Sequence, residues 1–141
     1  MFNPSRREAR QFFFDAWRKY QATQVLSPLE DKALDIILLH PEYQLMLDDP
    51  ERYLEQEYSA QLGEANPFLH LSMHLAIREQ LAIDQPIGIK TYYIKLLKKL
   101  GDSHDTEHAM LECMAEMIWH GQRTQKDFDA KCYLECLAKR T

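Results

Sequence analysis

Proline placement constrains this chain more than any other sequence feature. Five prolines each follow a residue that could cap a helix, and proline is well tolerated in the first turn, so each pair predicts a helix start. Ser27 also precedes Glu30 by three residues, the spacing of a capping box. His40 is the weakest cap of the five. The pairs are Asn3-Pro4, Ser27-Pro28, His40-Pro41, Asp49-Pro50 and Asn66-Pro67.

The pattern predicts an all-α fold, a compact helical bundle of about four main helices plus short helices. No run of alternating β-branched residues predicts a strand. Gly101 and Gly121 predict helix ends, and 58–66 is the longest predicted loop. With 141 residues and no internal boundary, we expect a single domain over 1–141. The predicted helices span 4–22, 28–39, 41–48, 50–57, 67–83, 86–100, 103–121 and 127–138.

The net charge and the lengths of the apolar runs indicate which binding partners are expected. The chain has 17 Lys and Arg against 22 Asp and Glu, a net charge of -5, which does not favour a nucleic-acid partner. The basic segment 90–99 is interpreted as an amphipathic helix rather than an RNA-binding surface. No apolar run is long enough for a membrane span, so no membrane partner is expected.

The cysteines and the N-terminus predict a cytoplasmic location. Three cysteines make an odd count without the pattern of an extracellular disulfide framework, and the N-terminal segment lacks the apolar stretch of a secretory signal. Cys132 and Cys136 share a helix face with apolar neighbours, and Cys113 lies in a Met-rich stripe. We therefore expect all three to be small core residues.

Two predicted helices carry pairs of metal-ligating residues. His70 and His74 stand four residues apart on a stripe that is otherwise apolar, and His108 and Glu112 repeat that spacing on a later helix. Side chains at this spacing can reach one metal ion. Each pair also lies near the start of its helix, so parallel helices would place the two pairs at nearly the same height.

The resulting hypothesis is a metal-binding helical-bundle protein with a His/Glu site between helices 67–83 and 103–121. Nitrogen and carboxylate ligands suit a divalent metal such as Zn, Fe, Mn or Ni. Glu116 is a candidate base near the ion or a bridging ligand. Whether the protein is an enzyme stays open, with metal-assisted hydrolysis and redox chemistry as the natural reaction classes. The predicted metal site consists of His70, His74, His108, Glu112 and Glu116.

The opposite face of helix 103–121 supports a competing interpretation. That face is more uniformly apolar, and if it lies in the core, then His108, Glu112 and Glu116 form a solvated stripe. The alternative function is a non-catalytic protein–protein interaction module with structural histidines. The aromatic segment 12–17 and the Met-rich helix 103–121 would then supply contact surface, as in a homodimer. For the aromatic rings, a clamp over neighbouring helices is the favoured interpretation.

The N-terminal segment Met1–Arg6 (MFNPSR) and four further segments carry a resemblance to a known family. The further segments are Phe12–Trp17 (FFFDAW), His40–Tyr43 (HPEY), Asn66–His74 (NPFLHLSMH) and His108–Trp119 (HAMLECMAEMIW). Through them, and over nearly its whole length, the chain resembles a bacterial family catalogued as domain of unknown function 1841. The resemblance implies a bacterial cytosolic setting. It implies no activity, so no residue acquires a catalytic role from it.

Overall fold

The computed structural model describes residues 6–58, 66–124 and 129–141, and every regular element in these ranges is helical. This confirms the predicted all-α class. The helices are α1 (Arg6–Gln21), α2 (Pro28–Leu38), α3 (Gln44–Leu47), α4 (Pro50–Tyr53), α5 (Pro67–Ile83), α6 (Ile89–Leu100), α7 (Ser103–Thr124) and α8 (Ala130–Arg140), and a 3₁₀ turn (Pro41–Tyr43) precedes α3. None of the helices in these ranges combines the length and the apolar character needed to cross a bilayer.

Capping side chains begin the helices where the proline pattern predicts. Ser27 and Glu30 form both hydrogen bonds of a capping box at the start of α2. The Asp49 side chain accepts from the Arg52 amide at the start of α4. The Asn66 side chain accepts from the first amides of α5 at 3.0 and 3.2 Å. His40 makes no such bond. The predicted start at Asn3 lies outside the described residues.

Several predicted boundaries differ from the observed ones. The predicted helix 50–57 ends early, at Tyr53, and the predicted helix 41–48 divides into the 3₁₀ turn and α3. Other differences involve glycines. Gly101 ends α6 in the left-handed region at φ 78°, as predicted, because glycine has no Cβ to clash there. Gly88 adopts φ 96° and delays the start of α6 to Ile89. The predicted stop at Gly121 is wrong, since α7 continues to Thr124. Most of the predicted loop 58–66 lies outside the described residues.

Contacts within the chain divide it into two compact units, Met1–Leu75 and Ala76–Thr141, with the division inside α5. The single domain predicted over 1–141 stays a prediction. In the first unit, the inner faces of α1 and α2 pack with α3 and the start of α5 around one apolar core. That core contains Phe13, Phe14, Ala16, Trp17, Ala33, Leu34, Ile36, Ile37, Met46, Leu47, Phe68 and Leu71.

The second unit has its own core, to which α7 contributes its Met-rich face. Polar contacts surround this core: Arg78 forms a two-pronged ion pair with the buried Glu107, and the Tyr133 hydroxyl donates to Gln80 Oε1 at 3.0 Å. Burial raises the pKa of Tyr133, so its phenol stays protonated and keeps this bond. The core residues are Ile77, Ile89, Leu96, Met110, Leu111, Cys113, Met114, Met117, Tyr133 and Leu137.

We expect the Glu30→Gln substitution to destabilise the first unit by about 1–2 kcal/mol at neutral pH. The Glu30 carboxylate accepts from the Ser27 amide at 2.8 Å and from Lys19 Nζ at 2.9 Å, and it is buried. The Ser27 backbone bond and then the Lys19 ammonium hold the pKa of Glu30 below its usual value. Glutamine keeps the size of the side chain and loses the charge.

The destabilisation caused by Glu30→Gln should be smaller in acid than at neutral pH. Because the folded-state pKa is lowered, the carboxylate stabilises the fold above its unfolded pKa, and this contribution disappears as the pH falls through the folded pKa. Urea unfolding at pH 7 and pH 3 should therefore show a gap between wild type and Glu30→Gln that narrows in acid. Asp31→Asn, at an exposed position in the same turn, is the matched control. A gap that widens in acid would contradict the prediction.

Candidate metal centre

His40 lies at the junction between α2 and the 3₁₀ turn. Proline at position 41 disfavours helical backbone at the residue before it, and His40 adopts φ -125° and ψ 68°. Its amide donates to the Ile37 carbonyl and its carbonyl accepts from the Tyr43 amide, both at 3.0 Å. These bonds fix the direction of the Cα–Cβ bond. The side chain points inward and is 3% exposed.

His70 and His74 come from α5, which the Asn66 cap begins. Because they stand four residues apart, both rings lie on one face of the helix, as predicted. His74 is fully buried and His70 partly buried. A buried imidazole must be matched by a hydrogen bond, a charge or a metal, since burying a polar group alone is costly. The pair therefore belongs to an organised polar cluster inside the first unit.

The three imidazoles of the first unit, here called the histidine cluster, converge from two separate segments. His40 Nε2 lies 3.3 Å from His74 Nδ1. The ring centres of His40 and His70 are 4.6 Å apart, and those of His70 and His74 are 6.1 Å apart. One ring nitrogen from each of the three can be chosen so that all lie within 4.8 Å of one another. This separation lies within the reach of one central ion after small side-chain rotations.

The shortest of these distances is also the one that a metal would impose. Two nitrogens that each lie about 2.0–2.1 Å from one tetrahedral ion are about 3.3–3.4 Å apart. The 3.3 Å between His40 Nε2 and His74 Nδ1 equals that value. A direct hydrogen bond between the two imidazoles has a similar length, so this distance suits both a metal centre and a hydrogen-bonded pair.

Glu42 orients the His40 ring from the side that faces away from His74. Its Oε1 accepts a hydrogen bond from His40 Nδ1 at 3.2 Å, which leaves the lone pair of the imidazole on Nε2, the atom directed at His74. Histidines that bind metals commonly donate their other ring N–H to a carboxylate, because this fixes the tautomer and increases the basicity of the ligating nitrogen. The His40–Glu42 contact has this arrangement.

Tyr43 forms one wall of the histidine cluster. Its ring stacks on His40 with the ring centres 5.3 Å apart and meets His70 edge-on at 5.9 Å. Burial raises the pKa of Tyr43, and the Glu42 carboxylate raises it further. The phenol therefore stays neutral at physiological pH, so Tyr43 restricts the motion of both rings without adding charge.

The other residues of the predicted metal site lie on α7, in the second unit. His108 is partly buried, and its ring centre is 4.1 Å from that of His104. Glu112 is exposed and forms an ion pair with Arg140. Glu116 is also exposed, with Oε2 3.1 Å from the sulfur of Cys136. The Glu112 carboxylate thus has a partner in its own unit, whereas the disulfide sulfur beside Glu116 has no proton to donate. The role of all three residues as metal ligands stays a prediction.

Sequence reasoning did not include His40 among the ligands. It treated the residue as a weak helix cap and as part of a segment that carries the family resemblance. The signal was nevertheless present, because His40 is the one residue before the five prolines that is not Asn, Asp or Ser, and it caps nothing. Its distance of 34 positions from His74 gives no local spacing rule to apply.

The described residues thus form an all-α fold with a largely buried histidine cluster and a carboxylate behind one of its rings. The family described as domain of unknown function DUF1841 matches residues 5–139, nearly the whole chain, and the protein belongs to this family. The resemblance to this family found in the sequence is thereby confirmed, and the bacterial cytosolic setting stays a prediction. No curated protein and no solved structure matches the chain.

Proposed function

We propose that this protein binds one divalent transition-metal ion through the imidazoles of His40, His70 and His74. The observation that carries the proposal is the convergence of three ring nitrogens, from a loop and a helix, within 4.8 Å of one another. The Glu42 carboxylate behind His40 adds the negative charge that a buried dication needs nearby.

The donor set narrows the choice of ion. Neutral imidazoles suit Zn, Ni, Fe and Cu, whereas Mn prefers carboxylate and water oxygens. Of the four metals predicted from the sequence, Zn, Fe and Ni therefore fit the histidine cluster better than Mn does. Mg and Ca, which require oxygen ligands, are poor candidates.

The number of protein ligands would decide what the ion does. Three histidines leave a coordination position open for water or substrate, the arrangement of catalytic sites, whereas a fourth protein ligand closes the site. His108 stays the candidate for that fourth ligand on the basis of the sequence. Glu112 and Glu116 are weaker candidates, because both are exposed and Glu112 would first have to leave its ion pair with Arg140.

The metal content of the protein tests the proposal. Protein purified without a metal-affinity tag, stripped with a chelator and reloaded with Zn²⁺ should retain about one ion per chain in elemental analysis after gel filtration. We expect the His40→Ala and His70→Ala variants to retain much less. His120→Ala removes an exposed histidine of α7 and serves as the control. Negligible Zn²⁺, Ni²⁺ and Fe²⁺ retention by the folded wild type would refute the proposal.

The alternative function, a non-catalytic interaction module, loses much of its predicted contact surface. Phe13, Phe14 and Trp17 of α1 are buried in the first unit. They contribute to the core and are not available to a partner, which agrees with the clamp interpretation of these rings. The Met-rich face of α7 is buried as well. Exposed large apolar side chains remain elsewhere, among them Tyr20 in the first unit and Trp119 in the second.

A further inference from the structure

The three cysteines form a separate chemical feature in the second unit. Cys113 of α7 and Cys136 of α8 are joined by a disulfide, with their Cα atoms 5.6 Å apart, inside the range that such a bond requires. Cys132, one helical turn before Cys136 on the same helix, is a free cysteine. The prediction that all three are small core residues is confirmed for Cys113, which is fully buried, but is wrong for the half-buried Cys132 and Cys136, and it did not include the disulfide.

The two sulfurs of this bridge differ in accessibility. Cys113 is fully buried, whereas Cys136 is half-buried and lines a surface pocket of about 340 Å³. The pocket also contains side chains of both charges, from Glu135 and Lys139 among others. A small thiol that enters the pocket therefore meets Cys136 and not the fully buried Cys113.

We propose that the Cys113–Cys136 bridge is a reversible redox site, which small thiols reduce by attack on Cys136 and which controls how firmly α8 is held on α7. A cytoplasmic location, predicted from the sequence, fits this proposal, because disulfides in reducing compartments are transient and regulatory rather than structural. Tyr133 and Leu137 of α8 are buried, and the polar contacts of this helix include the partly exposed Arg140–Glu112 ion pair, of a kind that contributes little. Tyr133 also donates to Gln80, and Lys99 donates to the Arg140 carbonyl.

The exchange proceeds in two balanced steps. A thiolate attacks the sulfur of Cys136, which forms a mixed disulfide and expels the Cys113 sulfur as a thiolate that then takes up a proton. A second thiolate attacks the sulfur of the bound small thiol, so a small-molecule disulfide leaves and Cys136 is released. Two small thiols supply the two electrons and two protons. The Glu116 carboxylate, 3.1 Å from Cys136, is placed to accept a hydrogen bond from the thiol that forms.

Counting free thiols tests whether the bridge forms and whether it is reversible. The folded protein is kept in EDTA, so that the proposed metal centre cannot influence the result, and is incubated with oxidised or reduced glutathione. It is then denatured, alkylated and weighed by mass spectrometry. We expect one label per chain after oxidation and three after reduction, since the chain has three cysteines.

Thermal unfolding tests whether the bridge stabilises the attachment of α8. The bond closes a segment with a sequence separation of 23, so reduction should lower the melting temperature by about 5–10 °C. Cys136→Ser and Cys113→Ser should melt near the reduced wild type and show no response to glutathione. Cys132→Ser, a cysteine of the same pocket, should keep the full response.

Three outcomes would overturn the proposal. One is three labels after oxidation, which would mean that no bridge forms. Another is one label after millimolar reduced glutathione acts on the folded protein, which would mean that the bridge is permanent. The third is a response that disappears in Cys132→Ser, which would assign the exchange to a different pair of sulfurs. None of these outcomes bears on metal binding, because the protein is metal-free throughout.

Discussion

Replacing Arg10 with methionine is expected to lower the free energy of unfolding of the first unit by about 3–5 kcal/mol. Arg10 is 1% exposed, yet carries a full charge. Its Nη1 donates to the carbonyls of Leu54 and Gln56 at 3.0 and 2.8 Å, and its guanidinium lies 4.6 Å from the centre of the Phe68 ring.

The expected size of the effect follows from these contacts. Each carbonyl that loses its donor costs about 1–3 kcal/mol, and a desolvated cation–π contact contributes up to about 2 kcal/mol. Part of this loss of stability is offset, because the buried guanidinium is itself incompletely paired: Nε and Nη2 of Arg10 find no acceptor among the described residues. Burial also lowers the pKa of the guanidinium. Methionine fills much of the volume, so the loss reports on the polar contacts rather than on a cavity.

Urea unfolding followed by Trp17 fluorescence would measure this effect in the first unit. The chain has two tryptophans, and a Trp119→Phe background leaves Trp17, in the core beside Asp48, as the sole reporter. Arg7→Met is the matched control, since Arg7 lies on the same helix, is 69% exposed and pairs with Glu55. We expect it to cost less than about 1 kcal/mol. Equal losses for Arg10 and Arg7 would show that the buried contacts contribute nothing.

The second large effect is expected at the histidine cluster. His74→Ala should weaken Zn²⁺ binding by more than about 100-fold, and Glu42→Gln by about 10–100-fold, because residues that orient a metal ligand contribute less than the ligand itself. His74 is the most buried of the three imidazoles, at 0% exposure. Its loss therefore removes a nitrogen that water cannot easily replace.

Competition with a coloured chelator at fixed pH would give both dissociation constants. Glu51→Gln, an exposed glutamate in the first turn of α4, controls for the change of charge at Glu42. His120→Ala again controls for the loss of a histidine. The order of the losses is the informative result, since a nonspecific surface site would respond alike to all four substitutions. A hydrogen-bonded imidazole cluster without a metal would show no tight binding in any variant.

Local signals in the sequence predicted most of the helices. A cap and its proline act within four residues of each other, so the starts at Ser27, Asp49 and Asn66 could be recognised without tertiary information. Gly101 and Gly121 show the limit of such signals. Glycine ends a helix where the backbone turns into the left-handed region, as at Gly101. Inside a helix, a single glycine lowers helix stability by only about 1 kcal/mol, and the other residues of α7 can offset that loss at Gly121.

The sequence by itself determined the all-α class and the shared helix face of His70 and His74, because both follow from interactions between residues close together along the chain. Only the tertiary structure decided that His40 joins them and that Cys113 meets Cys136. His40 lies 30 positions before His70 and 34 before His74, and Cys113 lies 23 positions before Cys136. Over such distances, no backbone periodicity relates two side chains, and their meeting depends on how the apolar faces of whole helices pack.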